Sequence, residues 1–238
     1  MKLDILVLAA HPDDAELGCG GTIAKHVALG YKVGIVDFTQ GDLGTRGTIQ
    51  TRAQEAAAAA EILGISVREN LMLRDGFFRH TDDELLCVVQ AIRHFQPEIV
   101  LANAITDRHP DHGKGAALAN EACFLSGLVK IETQRGGKRQ AAWRPKHVYH
   151  YIQSELIMPD FVVDISTEWE RKMQSIKAYK TQFFDPNSSE PETYISKPAF
   201  LTFLQARAEE FGHAINVRFG EGFTKNNMLG VEDLFKLR

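Results

Sequence analysis

Two four-residue stretches of this 238-residue chain carry side chains that could do chemistry together. The first is His11-Pro12-Asp13-Asp14 and the second is His109-Pro110-Asp111-His112. Imidazole and carboxylate are ordinary zinc ligands, and a catalytic zinc keeps three protein ligands with one position open for water. The first stretch runs into Gly18-Cys19-Gly20-Gly21, which raises a rival reading. A glycine loop after a strand can cradle a dinucleotide, with Asp37 in the place of the ribose-binding acid. That fingerprint needs a third glycine where this chain has Ile23. Two aspartates ahead of the glycines would also repel a pyrophosphate, which relies on backbone N–H groups. The paired tetrads favour the metal.

The elements that must position them follow an alternating rhythm. Apolar runs at 3–10, 32–38, 67–73 and 98–103 read as buried strands. Between them, 22–30, 51–64, 82–95 and 113–127 read as helices, with Thr51 and Gln54 in capping-box spacing. This pattern predicts an α/β fold: a Rossmann-like, mostly parallel sheet with helices on both faces. In the doubly wound order 3-2-1-4-5, strands one and four are neighbours and the crevice beside them takes the ligand. Each tetrad lies just past the carboxyl end of one of these two strands. Sequence spacing alone does not require that coincidence.

Beyond residue 127 the rhythm weakens. Residues 131–146 read as a solvated basic loop, 147–152 and 161–165 as short strands, 167–183 as a helix, 183–198 as a loop and 199–211 as a last helix. The chain is expected to form one domain, 1–238, with a core over 1–130 and a smaller C-terminal portion over 131–238 that completes the pocket. No apolar run approaches the ~18 residues that cross a bilayer, which argues against a membrane partner. A formal charge of −4 gives no footprint for nucleic acid. The scattered cysteines Cys19, Cys87 and Cys123 suit a reducing cytoplasm. Cys19 is either a thiolate ligand or, more simply, a small residue packed at the glycine turn. His26, His80, His94, His147, His150 and His213 lack partners at ligand spacing and are read as surface or packing residues.

The two tetrads together resemble the PIG-L/LmbE-like zinc-dependent N-deacetylases, which remove acetyl from N-acetylglucosamine conjugates. Further stretches, GDLGTRGT (41–48), TRAQEAAAAAEILG (51–64), LRDGFF (73–78), AYKTQF (178–183), ETYIS (192–196) and GEGF (220–223), are similar to the bacillithiol-biosynthesis branch, whose members deacetylate N-acetylglucosaminyl malate. Asp42 departs from that branch, which would carry a longer Glu there. The resemblance implies zinc, or iron(II) in the same site, held by His11, Asp14 and His112. It makes Asp13 the general base, His109 a protonated oxyanion stabiliser or proton donor, and Asp111 the partner that orients His109. Arg52, Arg108 and Tyr194 would contact a small-molecule sugar conjugate, and a homo-oligomer, trimer or hexamer, is implied.

Simpler readings stand beside these. Asp13 could serve only as a helix N-cap, His109 as a fourth ligand of a closed site, Arg52 as a surface partner of Glu55, and Tyr194 as a packing aromatic. At the level of function the alternatives are deacetylation of chitooligosaccharides or another N-acetylglucosamine conjugate, and a non-catalytic nucleotide-binding module.

Overall fold

The computed structural model describes residues 1–183, 186 and 188–236. Positions 184, 185 and 187 of the expected loop over 183–198 lie outside the described residues, as do 237 and 238. Strands β1 (Ile5–Ala9), β2 (Val33–Thr39), β3 (Val67–Leu73) and β4 (Ile99–Ala102) alternate with helices α1 (Asp14–Ala28), α2 (Ile49–Leu63), α3 (Asp82–Phe95) and α4 (Pro110–Leu125). There follow β5 (Gln134–Arg135), β6 (Lys138–Arg139), β7 (His147–Tyr151), β8 (Phe161–Asp164), α5 (Trp169–Lys177), α6 (Ala199–Ala214) and β9 (Gly220–Lys225). Seven strands form one sheet in the order β3-β2-β1-β4-β7-β9-β8. From β3 to β7 the pairings are parallel, and β9 runs antiparallel to both β7 and β8.

Both faces of the sheet are covered, so its strands read as unbroken apolar runs. Leu6, Leu8 and Phe38 point into a core with Val88, Phe95 and Leu118 of α3 and α4. Ile5, Val7 and Ile35 point the other way, onto Ile23 of α1 and Leu63 of α2. A third cluster, with Trp169, Ile176 and Phe219, fills the space beneath α5 and α6. Strands β1 and β4 are direct neighbours, with Ile5 opposite Ile99, and the helices that follow them leave to opposite faces. The switch point expected between the tetrads is present.

Four local expectations need correction. Helix α1 begins at Asp14, not near 22, and is broken at Cys19 (φ −143°, ψ 22°). The glycines are there for contact: a Cβ on Gly18 would lie 2.2 Å from the Tyr151 ring, and one on Gly21 2.7 Å from Ile165. At the break, side chains bond the helix backbone: Lys172 Nζ donates to Leu17 O (2.8 Å) and Gly21 N donates to Glu221 Oε1 (2.9 Å). Thr22 N donates to Glu221 Oε2 (2.6 Å), and the Lys172–Glu221 contact itself is 2.5 Å. A side-chain pair inserted into the helical ladder thus accounts for the kink.

Helix α2 starts at Ile49, two residues earlier than expected, because the reciprocal cap is Thr48 with Thr51 rather than Thr51 with Gln54. The basic stretch carries the small hairpin β5–β6, with Arg135 paired to Glu69. Helix α5 stops at Lys177, where buried Tyr179 donates to Glu16 Oε1 (3.1 Å) and Thr181 binds Glu55. Among the described residues no helix is long and apolar enough to cross a membrane.

Candidate active site

The first tetrad leaves β1 and turns sharply. Asp13 sits in the left-handed region at φ 112°, a conformation that is strained for a residue with a Cβ and concentrates at functional positions. It occupies the N-cap position of α1, but its side chain makes no cap bond. Instead its Oδ2 accepts from Arg52 Nη2 at 2.9 Å. The N-cap explanation of Asp13 therefore fails. Asp14, the next residue, turns back to accept from His11 N–H through Oδ2 (3.0 Å).

The second tetrad is built conventionally. His109 is the N-cap of α4 at φ −85°, its Nδ1 accepts from Asp111 N–H (3.3 Å), and Pro110 opens the helix. Proline is favoured there because the missing N–H is not needed. His112 then lies in the first turn, facing the first tetrad.

The two stretches meet. Ligand atoms of His11, His109 and His112 all lie within 4.8 Å of one another, as do those of His11, Asp75 and Asp111. His112 Nδ1 donates to Asp107 Oδ2 (2.6 Å), which leaves Nε2 facing Asp14 Oδ1 at 3.0 Å. His11 Nε2 donates to Asp75 Oδ1 (3.0 Å) with Asp111 Oδ2 at 3.4 Å, which leaves Nδ1 facing Asp14 Oδ2 at 3.5 Å.

Each imidazole is therefore held by a carboxylate through one nitrogen and offers the other to a shared space beside Asp14. Metal-binding histidines are oriented in this way by outer carboxylates. Ligand atoms ~2.0–2.1 Å from a tetrahedral ion lie roughly 3.4 Å from one another. Asp14 Oδ1 lies 3.0 Å from His112 Nε2 and its Oδ2 lies 3.5 Å from His11 Nδ1, near that spacing, and the imidazoles of His11, His109 and His112 are also close enough to share an ion, so the residue types fit a divalent cation.

The charges respond to this crowding. Burial works against the charged form of His112, but Asp14 and Asp107 outweigh it and hold the ring up to about 9. Burial also opposes charge on Asp14, yet the two histidines carry it well below the usual carboxylate range. Burial pushes Asp13 up to about 7, with Arg52 opposing and the Asp14 charge adding to the rise. For His109, burial and the charges of His11 and His112 lower the pKa. With Nδ1 acting as acceptor, the neutral ring carries its proton on Nε2.

Other expected residues are placed less uniformly. The Asp111 carboxylate does not face His109; it accepts from Gly76 N (2.8 Å) and Lys114 Nζ (2.9 Å) and lies against His11. Its contact with His109 runs through its backbone. Buried Arg52 donates to Asp13 and to Pro12 O (2.6 Å), and its Nε has no partner. Glu55 is taken by Thr181, so the Arg52–Glu55 surface pair is absent. Arg108 lies 4.2 Å over the Tyr194 ring, and Tyr194 packs edge-on against Phe200. Asp42 is exposed and does not line the cavity. Asp37 accepts from Arg68 Nε and Nη2 (2.7 and 2.9 Å), which occupies the acid that a nucleotide ribose would need. Cys19 is buried at the helix break and is not a ligand in either cluster.

Sequence reasoning missed four residues that hold the centre. Asp75 lies inside the LRDGFF stretch and Asp107 just ahead of Arg108 and the second tetrad, but no spacing rule marks them as supports of His11 and His112. Asn103 Nδ2 donates to Asp14 Oδ2 (3.0 Å) from the end of β4, while its Oδ1 accepts from Ala10 N (2.8 Å). Gln153, just past β7, accepts from Asn103 Nδ2 and Ala104 N, which fixes Oε1 as the oxygen. Its Nε2 then donates to Asp14 Oδ1 (3.1 Å). Arg207 of α6 locks this loop by donating to the carbonyls of Gln153, Ser154 and Glu155. His11, Asp13, Asp14, His109 and His112 of the tetrads line one cavity of about 560 Å³ with Arg52, Arg108, Tyr194 and Gln153, whereas Asp111 does not.

Comparison with known proteins agrees with this geometry. The sequence pattern of the PIG-L family, described as GlcNAc-PI de-N-acetylase, matches residues 6–123. A 4-oxalmesaconate hydratase of Pseudomonas putida is 30% identical over 192 residues, covering 74% of this chain and 73% of that protein. A diacetylchitobiose deacetylase of Thermococcus kodakarensis is 29% identical over 193 residues, 75% of this chain and 70% of that protein. A probable N-acetyl-alpha-D-glucosaminyl L-malate deacetylase of Bacillus subtilis is 27% identical over 202 residues, 76% and 84%. Among solved structures, the conserved protein TT1542 of Thermus thermophilus superposes with a TM-score of 0.86 at 34% identity, covering 97% of this chain and 98% of that one. With the paired tetrads, the sheet order and these likenesses in agreement, the chain belongs to the PIG-L family of deacetylase-like proteins.

Proposed function

We propose that this chain hydrolyses the acetamide of an N-acetylglucosamine conjugate, releasing acetate and the free amine. One observation carries the reading. Asp13, which belongs to neither cluster of possible ligands, and His109 share a cavity with His11, Asp14 and His112, so taking the last three as ligands leaves a carboxylate and an imidazole for chemistry. His11, Asp14 and His112 would hold zinc, or iron(II) with the same ligand types, and the ion would act as a Lewis acid that lowers the pKa of bound water to ~7.

The chain's own groups do the rest. Arg52 occupies Oδ2 of Asp13, and Oδ1 has no hydrogen bond among the described residues, so Oδ1 is the oxygen free to take a proton from the attacking water. His109 Nε2–H donates to the amide oxygen as negative charge develops there; one such donor is worth ~3–4 kcal/mol. The proton gathered by Asp13 passes to the amine nitrogen as the C–N bond breaks, so acid and base work by one residue suffices.

The finer reading takes N-acetylglucosaminyl malate as substrate. The guanidinium of Arg108 is exposed at the cavity and suits a carboxylate of the aglycone. The resemblance to the malate deacetylase of Bacillus subtilis supports it, as the archaeal relative supports chitobiose. The test is acetate release from the malate glycoside and from N,N′-diacetylchitobiose, with metal analysis of the same sample. Faster release from the malate glycoside upholds the finer reading, and acetate from neither overturns the deacetylase.

The hydratase relative favours a second reading, addition of water to a carbon–carbon double bond. Turnover of 4-oxalmesaconate without acetate release from either sugar would establish it.

A further inference from the structure

The cavity wall is of two kinds. Asp13, His109, Arg108 and residues of the 41–45 loop make part of it polar. Leu17 of α1, Ile152 after β7, and Phe200, Phe203, Leu204 and Phe211 of α6 make an apolar arm, in which Leu17, Phe200, Phe203 and Leu204 belong to one hydrophobic cluster. Gly18, Gly220 and Gly222 give this arm a floor without side chains. Two cations border it, and both are already engaged. Lys172 Nζ binds Glu221 and Leu17 O, while Arg207 spans three carbonyls. The arm therefore offers no uncommitted cation to a hydroxyl- or carboxylate-rich ligand, and its continuity with Asp13 and His109 makes it part of the substrate site. Ile152, Phe200 and Phe211 are buried by the protein itself, whereas Leu17, Phe203 and Leu204 present their free faces to whatever enters the arm.

We propose that this arm binds an apolar substituent of the substrate, a hydrocarbon or aromatic group of several carbons attached to the amide-bearing sugar. The inference rests on the proposed amide hydrolysis; an apolar aglycone keeps acetate as the product, and an apolar N-acyl chain replaces it with a longer acid. Two sources supply the same chemistry. The group is the N-acyl chain itself, which leaves the polar mouth to a carboxylate-bearing aglycone, or it is the aglycone, which then replaces malate. Phe200 carries the arm toward Tyr194 at the mouth, with ring centroids 5.4 Å apart, so either end of the sugar can reach it.

The experiment uses the intact zinc-loaded protein and two substrate series. One series is the methyl, butyl and hexyl glycosides of N-acetylglucosamine; the other is N-acetyl-, N-butanoyl- and N-hexanoylglucosamine. Burying a methylene contributes a factor of about four, so kcat/KM should rise at least about tenfold along one series. The series that rises identifies the source. Leu204→Asn and Phe203→Ser should each flatten that rise while the circular dichroism spectrum is unchanged. A flat or falling kcat/KM in both series, with the N-acetyl methyl glycoside still hydrolysed, overturns the proposal and leaves the deacetylase standing.

If no member of either series is hydrolysed, the deacetylase reading is decided by the malate glycoside and diacetylchitobiose assays. The arm is then judged alone by calorimetry with octyl glucoside, which has no amide. Saturable binding weakened at least about fivefold by Leu204→Asn upholds an apolar subsite, and absence of saturable binding overturns it.

Discussion

His11-Pro12-Asp13-Asp14 and His109-Pro110-Asp111-His112 share their first three letters, yet the chain uses those letters differently. In the first tetrad the leading histidine sits deep among carboxylates, and the third residue, Asp13, is swung by its left-handed backbone into the cavity. In the second, the leading histidine caps a helix and keeps a nitrogen for the cavity, while the third residue, Asp111, turns away to brace the first tetrad's histidine. The comparison teaches that a repeated motif need not repeat its roles. Backbone conformation, set by whether the tetrad precedes the helix or opens it, decides which side chain meets substrate and which supports it.

That contrast can be broken by experiment. Asp13→Asn should lower kcat by about 10²–10⁴-fold while metal content after dialysis stays that of the parent; loss of metal would make Asp13 a ligand instead. His109→Ala should cost about 10²–10³-fold in kcat and also retain metal. A variant that loses both together would place His109 among the ligands, as the closed three-imidazole alternative requires. Asp111→Asn should act the other way, weakening metal affinity by about 10–100-fold in a chelator competition. Affinity left intact with turnover abolished would return Asp111 to the role of orienting His109. Lys114→Met is expected to do least, within about twofold in kcat, because the lysine half of its contact with Asp111 is 40% exposed and solvent screens it. A tenfold loss there would show that Asp111 depends on that partner.

The centre was legible where chemistry and periodicity coincided. Both tetrads, their strands and the switch point followed from residue types and a strict βα rhythm. Asp75 and Asp107 were hidden because a carboxylate that braces a histidine from another loop leaves no sequence period. Gln153 and Glu221 come from strands that close the sheet late in the chain. The strand carrying Glu221, Gly220–Lys225, went unread because glycine at two of its first three positions weakens any strand signal. Helix α1 was started too late for the same reason in reverse. Gly18, Gly20 and Gly21 are poor helix formers, and only the fold shows that Tyr151 and Ile165 need the space. The closeness of His109 to two other imidazoles was hidden for the same reason, since it exists only in three dimensions.

The Lys172–Glu221 bridge across the break in α1 has a consequence for biosynthesis. Its two members stand 155 and 200 residues downstream of the backbone groups they satisfy. While the polypeptide is being made, early regions emerge and begin to fold first, so both tetrads leave the ribosome with Gly21 and Thr22 still lacking their acceptor. The turn of helix that carries Asp14 gains its final support only when the closing strand emerges, and nascent molecules stalled before it should hold metal poorly.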